Sequence, residues 1–150
     1  MQMRTKLAAT LVLAATAFSA HAQFKPEESI AYRQGIFKAQ RWNLVPMAMM
    51  VQGKMPYDQA VFLMRAQRLD QVSKMAWDGF GPGTDTGAPT KAKAEIWSDA
   101  AGFKQAADAF QAETPKLVAA AQSGNMDQIK AAFSGVVKTC DNCHDKFRSK

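Results

Sequence analysis

The chain has 150 residues, 47% of them hydrophobic, with 19 basic and 13 acidic side chains and a formal net charge of +6. That length is enough for one domain around one core. The basic residues are scattered, with no block of like charges and no basic–aromatic array, which argues against a nucleic-acid binder.

The N-terminus reads as a targeting segment. Arg4 and Lys6 precede an apolar run from Leu7 to Phe18, and Ala20-His21-Ala22 is a small-x-small cleavage site. Together they predict a secretory signal over residues 1–22, cleaved before Gln23, and a periplasmic product. The run is too short to span a bilayer, and no later stretch is long and apolar enough to do so. Without Arg4 and Lys6, residues 23–150 carry 17 basic and 13 acidic groups, a net charge of +4. Such a mild positive surface suits solubility and favours an acidic redox partner.

From Gln23 onward the chain is rich in Ala, Met, Lys, Gln and Glu, and β-branched alternation is scarce. A first helix is predicted from Pro26 to Gln52, kinked at Pro46 and stopped by Gly53. A second starts after Asp58, a plausible N-cap, and runs to Asp78. Gly79 to Thr90, with four glycines and two prolines, is a long connection. A third helix is expected from Ala92 to Ser123, with Pro115 as a possible bend and Gly124 as its stop. Phe103, Ala107, Phe110, Leu117, Val118 and Ala121 mark its apolar face.

The fourth helix has the clearest pattern. Asn125 can cap it, with Gln128 placed for a capping box. Ile129, Phe133, Val136, Val137, Cys140, Cys143, His144 and Phe147 form one stripe. The predicted fold is all-α: an antiparallel up-down-up-down four-helix bundle, here with a covalent cofactor inside it.

That cofactor is announced by Cys140-Asp141-Asn142-Cys143-His144. Cys-x-x-Cys-His is the attachment signature of c-type haem. Thiols three residues apart share a helix face and can each form a thioether to a haem vinyl group. A histidine one residue later reaches the iron. After the signal is removed these are the only cysteines and the only histidine. A thioredoxin-like pair would sit after a strand in a βαβ setting. A zinc site needs a fourth ligand. A structural disulfide explains neither the histidine nor the stripe.

The second axial ligand is open at this point. Met47, Met49, Met50, Met55, Met64, Met75 and Met126 are available, and a thioether would make a low-spin Met/His electron carrier. Methionine more commonly fills helical cores.

Several separate motifs then carry a resemblance across residues 23–150. They are Gln23-Phe24-Lys25-Pro26-Glu27, Tyr32-Arg33-Gln34, Phe80-Gly81-Pro82-Gly83-Thr84, Ile96-Trp97-Ser98-Asp99-Ala100-Ala101 and Cys140 through Arg148. In this order they resemble the cytochromes c′, the high-spin class II cytochromes c. The resemblance implies one haem c per chain, five-coordinate iron with an apolar distal pocket, and a homodimer packed through the first two helices. It gives Cys140 and Cys143 the thioether roles and His144 the proximal ligand. It places Arg148 beside the proximal face, Arg33 and Gln34 near the propionates, Phe37 over the distal side, and Trp77 and Phe80 in the pocket walls. Phe37 stands where low-spin relatives carry methionine, and Met47 lies roughly 15 Å further along at helical rise.

The expected function is therefore binding of nitric oxide and carbon monoxide, electron transfer with periplasmic redox proteins, or both. Enzymatic turnover ranks last, because no acid–base pair is visible and the mature histidine is committed to iron.

Overall fold

The computed structural model describes residues 24–150. The predicted signal over residues 1–22 and its cleavage before Gln23 lie outside the described residues. Four long helices dominate: α1 (Pro26–Val51), α2 (Gln59–Ser73), α4 (Ala100–Ser123) and α5 (Met126–Phe147). A short helix, α3 (Glu95–Ser98), and a 3₁₀ turn (Ala76–Phe80) lie in the long connection between α2 and α4. The bundle is antiparallel and up-down-up-down, and no helix among the described residues is long and apolar enough to cross a membrane.

Local chemistry sets the ends of these helices. Pro26 starts α1 at a position where a missing N–H costs nothing. The Asp58 carboxylate accepts from Val61 N at 2.9 Å and caps α2. Gly53 at φ +71° and Gly124 at φ +66° end α1 and α4 in the left-handed region, which a Cβ disfavours.

Two prolines sit inside helices. α1 runs on past Pro46 to Val51. Pro46 offers no N–H to the carbonyl of Trp42, one turn back, and Arg65 Nη1 of α2 donates to that oxygen at 3.2 Å instead. α4 likewise runs on through Pro115.

Three expectations need correction. The second helix ends at Ser73, not Asp78, and the chain tightens into the 3₁₀ turn. There Trp77 Nε1 donates to the Ser73 carbonyl at 2.7 Å and takes one of the acceptors at the helix end. The third predicted helix is two. Asp99 at φ −123° breaks it, and its carboxylate accepts from Gly102 N at 3.0 Å to start α4 afresh. The capping box at Asn125 is also only half made. Asn125 Oδ1 accepts from Asp127 N and Gln128 N, but Gln128 Oε1 accepts from Ser123 Oγ, whose oxygen takes the Asn125 N–H.

The two ends of the bundle differ. At one end Met47 and Met50 of α1, Phe62 and Leu69 of α2, Phe110 and Leu117 of α4, and Ile129, Phe133 and Val136 of α5 form the core. Each fully buried Leu or Phe there contributes about 1.5–3 kcal/mol. α4 packs closely on α5, whereas α1 touches α5 only sparingly. The 3₁₀ turn and the segment after it flank the gap. Backbone bonds from Lys93 N to Phe147 O (3.0 Å) and from Ser149 N to Lys91 O (2.9 Å) strap that segment to the end of α5. The space left between α1 and α5 is the candidate site.

Candidate cofactor-binding site

A cavity of about 610 Å³ opens between α1, α5, the N-terminal half of α4 and the 3₁₀ turn. That size falls within the roughly 300–1,000 Å³ of small-molecule and cofactor sites. All nine residues singled out from the sequence line it: Arg33, Gln34, Phe37, Trp77, Phe80, Cys140, Cys143, His144 and Arg148.

The last two turns of α5 present Cys140, Cys143 and His144 to the cavity by helical spacing. Both thiols are half-buried and unpaired. Burial, aided by Asp141 and Cys143, pushes the Cys140 thiol up to about 11, and burial alone raises Cys143. His144 stands at the open face. Partial desolvation first, then the Arg148 cation, pull its imidazole below the ordinary value of 6.5. Both favour the neutral form, which is the metal-ligating one. The Arg148 N–H bonds the His144 carbonyl at 3.0 Å, so the two residues are tied through the backbone as well.

Arg33 forms the polar end. It is 2% exposed, and its Nη1 donates to Gly79 O at 2.7 Å and to Thr84 Oγ1 at 3.1 Å. Its Nη2 donates to Thr90 Oγ1 at 3.2 Å. The guanidinium lies 4.4 Å from the centre of the Phe80 ring and 5.7 Å from that of Trp97. Among the described residues no carboxylate pairs with it. Desolvation lowers its pKa, with Asp85 opposing at longer range. A buried cation with no paired carboxylate is costly, and this one lines the cavity. Gln34 is held beside it, its Nε2 donating to Pro89 O at 2.9 Å.

The apolar wall is aromatic. Phe37 meets Trp77 and Phe80 edge-on, each at 6.2 Å between ring centres. Phe103 meets Phe80 at 4.9 Å, Phe147 at 5.3 Å and Trp77 at 5.8 Å, all edge to face. Trp97 lies behind this wall, lining an adjacent cleft and not the cavity. Among the described residues no methionine lines the cavity. Met47 and Met50 are in the core, and Met49 and Met75 are exposed. Among the described residues there is no cluster of three or more His, Cys, Asp or Glu groups that could hold a metal ion.

Sequence reasoning missed several contributors. Phe103 and Phe110 read only as core on the third helix, yet both line the cavity. Thr84 and Thr90, which fix Arg33, are single hydroxyls in an irregular segment with no periodicity to mark them. Lys38, Arg41 and Lys91 at the rim gave no motif.

The family model described as Cytochrome C′ matches residues 28–148. The chain belongs to the cytochrome c′ family. It is 45% identical to a cytochrome c′ from Rubrivivax gelatinosus over 126 residues, covering 84% of this chain and 98% of that one. Among solved structures, the cytochrome c prime from Shewanella frigidimarina superposes with a TM-score of 0.83 at 39% identity, covering 85% of this chain and all of the other. A cytochrome c prime variant from Alcaligenes xylosoxidans, solved as its nitric oxide complex, gives 0.78 at 42% identity, over 84% of this chain and 98% of the other. A carbon monoxide-bound variant of the same protein matches equally well.

The cytochrome c′ cofactor is a covalently attached c-type haem, and the residues present fit it. Two free thiols at the attachment spacing, one imidazole, an aromatic cavity and a buried cation fit such a group.

Proposed function

We propose that this cytochrome c′ is an exported, periplasmic haem protein that binds nitric oxide and carbon monoxide at an open axial position and also exchanges single electrons with redox proteins. A bound haem c supplies an iron that takes diatomic gases and changes oxidation state by one electron. Cys140 and Cys143 anchor the group through thioethers from the cavity face of α5. His144 offers a neutral imidazole from the next position, and Arg148 keeps a positive charge beside it. Arg33, with Gln34 adjacent, receives the propionates by charge-assisted hydrogen bonds. Phe37, Trp77 and Phe80 exclude water. With no polar donor on that wall, bound dioxygen gains little while nitric oxide loses nothing. Residues 23–150 act as the mature domain, and the sequence of residues 1–22 supports export.

The observation that carries this reading is the composition of the lining. Among the described residues His144 is its only imidazole, no methionine lines it, and Phe37 stands on its aromatic wall. The absorption spectrum of the ferrous protein tests it, alone and with nitric oxide. A five-coordinate high-spin spectrum that changes on adding gas is expected. A six-coordinate low-spin spectrum without added ligand overturns the open site and restores a Met/His carrier.

A homodimer through the first two helices is part of this proposal. What supports it is a stripe on α1 that monomers seldom expose: Trp42 (74% exposed), Val45 and Met49.

A further inference from the structure

The lining of the haem cavity contains five cationic side chains, Arg33, Lys38, Arg41, Lys91 and Arg148, and no Asp or Glu. Arg33 is buried, and the other four are exposed at the rim. They come from three separate places in the chain: Lys38 and Arg41 from α1, Lys91 from the strapped segment, and Arg148 from the end of α5. None of the four takes part in an ion pair among the described residues, whereas Lys74, Lys104, Lys116 and Lys146 elsewhere do. The backbone strap between residues 91–93 and 147–149 fixes two of these cations on one side of the mouth.

Charge of one sign around a low-dielectric opening focuses the field outward. The two propionates of a haem would offset two of the five charges, and Arg33 is already placed for them. A net positive ring remains at the point where an electron would leave or enter. We infer that this ring is the docking surface for an acidic redox protein, whose carboxylates meet Lys38, Arg41, Lys91 and Arg148 and bring its own cofactor to the cavity mouth. This rests on the haem-protein reading above and names the partner's chemistry and the place where it binds. Contacts of this kind steer the encounter and fix orientation more than they add affinity. They weaken over a Debye length of about 8 Å at physiological salt.

Two experiments on the haem-loaded protein test the ring. In the first, a glutamate-rich peptide is coupled to lysines by carbodiimide at low salt, and the adducts are located by peptide mapping. Adducts concentrated at Lys38 and Lys91 and suppressed by added salt are expected. An even spread over exposed lysines, Lys54 and Lys130 included, overturns the proposal. In the second, oxidation of the ferrous protein by hexacyanoferrate(III) is compared for two triple variants. One is Lys38→Glu/Arg41→Glu/Lys91→Glu. The other is Lys54→Glu/Arg68→Glu/Lys130→Glu, which makes the same change in net charge away from the cavity. At low salt the rim variant should slow about tenfold or more, within the range electrostatic steering supplies, and the control far less. Equal slowing means that only net charge matters, and overturns the ring. A normal haem spectrum with evenly spread adducts fails this inference alone. A protein that carries no haem fails the reading beneath it.

Discussion

Gly79 and Arg33 are fitted to each other at backbone range. The Gly79 carbonyl accepts from Arg33 Nη1 at 2.7 Å. A Cβ added to Gly79 would lie 2.8 Å from Arg33 Cβ and 2.8 Å from the Ser29 carbonyl oxygen. The 3₁₀ turn therefore touches α1 at a distance only glycine allows, and the buried guanidinium depends on that closeness. Gly79→Ala must push the turn off α1. The expected loss is about 1–3 kcal/mol, the usual range for overpacking. Urea unfolding measures it, and an unchanged midpoint refutes the close fit.

Arg33 itself has a different signature with and without haem. Its charge is buried and lacks a carboxylate among the described residues, so in the haem-free fold the desolvation cost offsets much of what its three hydrogen bonds contribute. With propionates present it gains hydrogen bonds to charged groups, about 1.5–3 kcal/mol. Arg33→Met should therefore destabilise the loaded protein more than the haem-free chain. Removing a buried cation near the iron also disfavours the added electron, so the reduction potential should fall. Paired denaturation curves and a redox titration check both. Equal destabilisation of the two forms would place the propionates elsewhere.

Phe37 leans on Trp77 and Phe80, and nothing smaller would fill its part of the cavity. Phe37→Ala should speed carbon monoxide association with the ferrous protein about tenfold, which corresponds to about 1.4 kcal/mol of steric barrier. Flash photolysis reads the rate directly. An unaltered rate means that the gas does not pass this side chain.

The stripe on α1 gives a test of assembly. Trp42→Glu puts a charge at the centre of the proposed dimer face without touching the cavity lining. Sedimentation should show a shift from dimer toward monomer with the haem spectrum unchanged. A variant that stays dimeric moves the interface off this stripe.

How legible these features were depended on whether they repeat. Cys140, Cys143 and His144 could be read because helical spacing and attachment chemistry coincide in five residues. The ends of α1 and α5 could be read because Pro26, Gly53 and Asn125 act locally. Arg33, Gln34 and Phe37 had no periodic signal and emerged only through the ordered set of family motifs. The stop at Ser73 and the restart at Asp99 were not legible, since single side chains set them and no repeating pattern marks such residues. Trp77 turns back to bond Ser73, and Asp99 caps α4 while pairing with Lys146 at 2.6 Å. The rim cations are invisible in sequence for the same reason. Lys38 and Lys91 are 53 positions apart, and only the fold makes them neighbours of one opening.

The end of α2 carries a last prediction, because it anchors a wall of the site from a distance. Thr114 is fully buried next to Pro115, and its Oγ1 donates to Asp70 Oδ1 at 2.8 Å. Ser73 Oγ donates to the Asp70 carbonyl at 2.7 Å, and the Ser73 carbonyl accepts from Trp77 Nε1. The chain of bonds runs from α4 through the last turn of α2 to the indole lining the cavity. Thr114→Val keeps the shape and removes the proton, leaving the Asp70 carboxylate short of a donor. Lys74 Nζ still donates to Asp70 Oδ2 at 3.2 Å, so the cost should be about 1.5 kcal/mol, as for one lost hydrogen bond to a charged group. Trp77 should also loosen, so its fluorescence, read in a haem-free chain with Trp42→Phe and Trp97→Phe, should broaden and shift to the red. A loss of stability with the Trp77 emission unmoved would mean that the network holds the bundle but not the site.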